Sequence, residues 1–62
     1  MGEKLMSIKE VKHITTLSHT TIYKLIKRGE FPAPLKITGK SSAWLYSEII
    51  EWIDRLKVAR GA

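Results

Sequence analysis

Apolar and polar positions along this chain fall into three helical rhythms, with one interval between the second and third that cannot be helical. The clearest short rhythm runs from Ser18 to Gly29, where Ile22, Leu25 and Ile26 recur at i, i+3, i+4 and form one narrow apolar stripe. Thr20, Tyr23, Lys24 and Lys27 cover the opposite face, with Thr21 and Arg28 on its flank. Ser18 is placed to cap the helix, Leu17 and Ile22 have the spacing of a hydrophobic staple, and Gly29 supplies a left-handed stop. Upstream, Ser7-Ile8-Lys9-Glu10 matches a capping box, with Met6 and Val11 as its staple, so a helix starts at Ile8. Ile8, Val11 and Ile14 form its expected buried stripe, Lys9 and Lys12 point outward, and the β-branched pair Thr15-Thr16 ends it. Leu17-Ser18 opens the next helix almost at once, which leaves only a tight turn between the two. The third rhythm, Ile49, Trp52, Ile53 and Leu56 at i, i+3, i+4, i+7, is the most regular. Ser47 is its expected N-cap, with Glu48 and Glu51 in the first turn, and Arg55, Lys57 and Arg60 suit the negative end of the helix dipole.

Glu30-Phe31-Pro32-Ala33-Pro34 breaks the helical pattern, because two prolines flanking one residue force extended or turn geometry. Leu35-Lys36-Ile37 and Trp44-Leu45-Tyr46 then read as two strands joined by turn-forming residues around Gly39. A lone hairpin is not stable in water, so it must lean on the helices, with Trp44 as anchor. Residues 1 to 6 read as an extended lead-in whose Leu5 and Met6 reach the core. The expected fold is mainly α with a small β-hairpin: a winged helix-turn-helix of three helices plus a two-stranded wing, one domain over residues 1–62.

Size and charge narrow the function. A chain of 62 residues supports one small core, since it buries only about 60% of its unfolded surface. It has no cysteine, and His13 and His19 are too few for a metal cage, so neither a metal nor another cofactor is expected. No apolar run approaches the ~20 residues of a membrane span and no signal peptide is legible, which makes a soluble cytoplasmic protein the default. Residues 1 to 40 hold eight Lys and Arg against three Glu, whereas the remainder holds three bases and three acids, so the whole net charge of +5 lies in the first two thirds. A surface polarised in this way concentrates polyanions, nucleic acid foremost.

The free face of the second helix is basic, hydroxyl-bearing and aromatic, and it contains no acid. That is the surface of a helix laid into the major groove of duplex DNA, where lysines meet phosphates and short polar side chains reach base edges. His19, Thr20, Thr21, Tyr23 and Lys24 are the candidate base readers. Ser18, Lys27, Arg28, Lys36, Lys40 and Ser41 are the candidate phosphate contacts. Catalysis is not expected: Glu10 and His13 at i, i+3 are the nearest thing to an acid–base pair, and no nucleophile or third group joins them. Trp44 and Trp52 read as core rather than as a stacking platform for single strands. On composition, an RNA- or ribosome-associated basic module and a protein-only adaptor are the alternatives. One recognition helix reads too few base pairs to select a site in a genome. The free protein is therefore expected to be a monomer that occupies neighbouring sites with further copies of itself, with integrase or RNA polymerase as further partners.

The ordered set Leu17-Ser18, Thr21-Ile22-Tyr23-Lys24, Gly29-Glu30-Phe31-Pro32 with Pro34, Gly39-Lys40, Ala43-Trp44, Ser47-Glu48 and Trp52 resembles the AlpA family of phage and prophage regulators. These are relatives of excisionases and of the DNA-binding heads of MerR-type activators. The resemblance covers nearly the whole chain. It departs at His19, where the family often carries Arg, at Ala33, where it often carries a base, and at Leu45, where it often carries a polar or charged residue. What it implies is a second helix in the major groove, residues 18 to 28, and a hairpin that acts as a wing over phosphate or minor groove. It implies too a role in regulating an adjacent integrase gene or in directing recombination towards excision.

Overall fold

The computed structural model describes residues 3–61. Strand β1 (Leu5–Met6) leads into helix α1 (Ile8–Thr15) and helix α2 (His19–Lys27); strands β2 (Leu35–Lys36) and β3 (Ser42–Leu45) follow, and helix α3 (Tyr46–Ala59) closes the chain. The architecture is mainly α with a wing-like hairpin, the arrangement of a winged helix-turn-helix.

Both early helices begin as their spacing predicts. The Ser7 Oγ accepts from the Glu10 N–H at 3.2 Å while the Ser7 N–H donates to the Glu10 Oε1 at 2.9 Å, which completes the capping box. Ser18 caps α2 by accepting from the Thr21 N–H at 3.1 Å. At the far end Gly29 takes φ +73°; its N–H donates to the Ile26 carbonyl at 3.0 Å and that of Glu30 to the Leu25 carbonyl at 2.8 Å, a Schellman stop. Between the helices, Thr15 ties the turn at both ends: its hydroxyl donates to the Val11 carbonyl at 2.7 Å and accepts from the Leu17 N–H at 3.3 Å.

The core is Met6, Val11, Ile22, Phe31, Trp44 and Ile49, with Ile8, Leu17, Leu25, Ile26, Trp52 and Ile53 packed around it. Full burial of an aliphatic side chain such as Val11 or Ile22 contributes about 1.5–3 kcal/mol. Two indoles stitch the proline crossing to this core. Trp44 Nε1 donates to the Pro32 carbonyl at 2.9 Å and Trp52 Nε1 to that of Glu30 at 2.8 Å, while Phe31 stands edge-on to Trp52 at 4.7 Å. Extended backbone, which the prolines enforce, leaves the carbonyls of residues 30 and 32 free to accept.

Several expectations change. The lead-in is a strand: β1 pairs antiparallel with β3, Leu5 opposite Leu45 and Met6 opposite Trp44, so the sheet has three strands in the order β1-β3-β2. Only Met6 reaches the core from it; Leu5 is exposed. In the hairpin Leu35 faces Ala43 and Lys36 faces Ser42, so β3 starts two residues before Trp44 and ends at Leu45. Ile37 lies just outside β2, and Tyr46 belongs to the helix. Ser47 is therefore no N-cap. Leu45 holds that position without a side-chain bond, the Tyr46 N–H donates instead to the Lys4 carbonyl of the neighbouring lead-in at 2.8 Å, and the Ser47 hydroxyl donates to the Glu3 carboxylate at 2.9 Å. Glu48 remains in the first turn, whereas Glu51 lies past it. The apolar stripes also outrun the core: Ile14 is 38% exposed because Thr15 takes the inward position a turn after Val11, and Leu56 is 52% exposed near the end of α3.

Candidate nucleic-acid interface

The stripe Ile22, Leu25 and Ile26 faces inward, which leaves the other side of α2 open. His19, Thr20, Tyr23, Lys24, Lys27 and Arg28 are all exposed. Thr21 is half-buried, and its hydroxyl accepts from the Ser18 Oγ at 2.9 Å, so these two hydroxyls serve the helix start as well as any ligand. Tyr23 connects the open face to the core. Its ring stands edge-on to His19 at 4.8 Å and to the buried Trp44 at 6.3 Å, so three aromatic rings run from the start of α2 to the root of the hairpin.

Lys36, Lys40 and Ser41 are exposed on the hairpin. Its tip is organised by Thr38, whose Oγ1 accepts from the Lys40 N–H at 3.2 Å and the Ser41 N–H at 3.0 Å while the Ile37 and Thr38 N–H groups donate to the Ser41 carbonyl at 2.9 and 3.2 Å. Thr38 is the first of the turn formers expected around Gly39, and its role here is a common one, since a threonine hydroxyl closes a turn by accepting from backbone N–H groups two or three residues on. Both ion pairs among the described residues lie on α3, Arg55 with Glu51 at 3.8 Å and Lys57 with Asp54 at 3.5 Å, all four side chains exposed. Such pairs contribute about 0–1 kcal/mol, but they neutralise the bases of α3. Lys24, Lys27, Arg28, Lys36 and Lys40 have no acid partner among the described residues, nor do Lys4, Lys9, Lys12 and Arg60, so five of the nine unpaired bases lie on α2, its C-cap and the hairpin. Among those residues there is also no group of three His, Cys, Asp or Glu side chains placed to hold a metal ion, and no helix long and apolar enough to cross a membrane.

The family model described as "Prophage CP4-57 regulatory protein (AlpA)" matches residues 4–58, from β1 to the last turn of α3. The chain belongs to the AlpA family. ORF88 of Enterobacteria phage P4, described as an uncharacterised protein, is 45% identical to it over 51 residues, which cover 82% of this chain. The chain spans 58% of that relative's length. The open face of α2 and the Thr38-organised hairpin each combine unpaired bases with hydroxyl groups.

Proposed function

We propose that this AlpA-family regulator is a non-enzymatic, sequence-preferring duplex-DNA-binding protein whose α2 enters the major groove while the hairpin grips the flanking backbone. The observation that carries the reading is the open face of α2: Thr20, Tyr23 and Lys24 exposed together, no acid among them, directly over the stripe that fixes the helix to the core. Thr20 at the centre of that face reads base edges with Lys24, Tyr23, His19 and Thr21 around it; Ser18, Lys27 and Arg28 meet phosphates beside the groove and Lys36, Lys40 and Ser41 meet them from the wing. The domain of residues 1–62 is a monomer when free and fills neighbouring sites cooperatively, because one module covers only about 600–1,000 Å² of protein surface on DNA. At those sites it controls an integrase gene or turns recombination towards excision, with integrase or RNA polymerase adding further contacts. Competition separates the reading from its alternatives: labelled duplex DNA bound in moderate salt is displaced by unlabelled duplex and far less by RNA of equal length. Footprinting on DNA next to the gene then assigns the role, protection of an attachment site marking excision and protection of a promoter marking transcription. Displacement by RNA as readily as by DNA, or no binding of either, overturns it.

A further inference from the structure

The pairing of the sheet has a consequence for the face turned away from the core. Met6, Trp44 and Ser42 alternate onto one side of β3 and its neighbours, and the first two are buried. The other side therefore carries Leu5, Leu45, Ala43 and Leu35, with Ile37 continuing the alternation where its N–H still bonds the Ser41 carbonyl. Leu5 is 44%, Leu35 44% and Ile37 51% exposed, and the exposed Ser41, paired with Ile37, lies on the same side as a polar rim at the hairpin tip. Its nearest bases point elsewhere: Lys36 alternates onto the opposite side of β2, and the Lys4 ammonium lies 5.5 Å from the centre of the Tyr46 ring.

We propose that this outer sheet face is the contact between two copies of the protein on adjacent DNA sites, a deepening that rests on the duplex-DNA reading above. Five partly exposed aliphatic side chains make a patch on the order of 300 Å², at the small end of functional patches on monomers, against about 800 Å² per partner in a stable complex. That area is too small to hold a free dimer. It suffices where DNA already supplies a high local concentration of the partner, since the second contact is then intramolecular. The partner is another copy because the patch is uncharged: two chains of net charge +5 meet there without setting lysine against lysine. With the same patch used by both copies, the contact is isologous, relates the copies by a twofold axis and closes at two. It thus requires sites in inverted orientation.

The test uses the full chain and a site recovered by selection from a random-sequence duplex library, placed once, twice inverted and twice direct, with spacing varied in single base-pair steps. Inverted pairs at a favoured spacing bind with cooperativity of about tenfold or more, and direct pairs bind as independent sites. Leu5→Ser and Leu35→Ser, both at exposed positions, keep the cooperative melt and the single-site affinity but lose the tenfold factor. Cooperativity that survives both substitutions, that is equal on direct repeats, or that is absent at every spacing while single-site binding is intact overturns the sheet-face contact and leaves the DNA reading standing. Failure to recover any site from the library removes both.

Discussion

Thr16 holds a left-handed backbone at φ 62°, a conformation that β-branched residues rarely adopt, and it does so at the turn between α1 and α2. Such strain amounts to about 1–3 kcal/mol. Asparagine tolerates that region without glycine's unfolded-state entropy, so Thr16→Asn should stabilise the protein by on the order of 1 kcal/mol, a rise in melting temperature of about 4–8 °C. An unchanged or lower melt would show that Thr16 is not strained there. Trp44 is the opposite case, fully buried and bonded to the Pro32 carbonyl. Trp44→Ala should cost about 3–5 kcal/mol, which is about the whole stability of a core this small, and so abolish the cooperative melt. On the open face, Thr20→Ala should cost about 1–3 kcal/mol on the selected site and little on random duplex. Equal losses on both would make Thr20 a phosphate contact instead. Most of these residues were legible one by one, because a capping hydroxyl, a staple or a tryptophan between turn formers each has one dominant use.

Elements were legible wherever local chemistry decides them and obscure wherever a distant partner does. The Ser7–Glu10 box, the Ser18 cap and the Gly29 stop all act within about one and a half helical turns, and the helices they bound start and end as expected. By contrast β1 is two residues long and is a strand only because β3, forty residues away in sequence, bonds to it. The same strand replaces the cap at the start of α3: with the Lys4 carbonyl accepting from Tyr46, a capping Ser47 is unnecessary, and β3 runs straight into the helix. A period alone cannot say where a core stops, which is why Ile14 and Leu56 were placed inside and are exposed. Of the candidate interface, the open α2 face was readable apart from the half-burial of Thr21, and the Thr38 turn is local chemistry, whereas the apolar outer sheet face depends on pairing that no local pattern shows. At this scale the wing makes its own prediction. Lys40→Ala should weaken binding about equally on all duplex sequences and flatten the salt dependence by about one unit of slope; a loss confined to the selected site would make the wing a reader of bases.

Across the whole molecule, charge is separated rather than balanced. Acids and bases pair along α3, while α2 and the hairpin keep five bases without an acid partner among the described residues. If about five phosphates are neutralised by that surface, the logarithm of the binding constant should fall with the logarithm of salt concentration at a slope of about −4 to −5. On the proposed reading, a single module has modest affinity for one site and neighbouring copies supply the selectivity. Sedimentation of the free protein at micromolar concentration should accordingly show a monomer, and a dimer without DNA would move the source of selectivity into solution. The most direct test of duplex-DNA recognition is a titration of a single selected site at a series of salt concentrations, repeated with an RNA duplex of the same sequence. Duplex-DNA recognition requires the slope of about −4 to −5 on DNA and markedly weaker binding to RNA at every salt concentration; a slope near zero on DNA, or RNA bound as tightly as DNA, would rule it out.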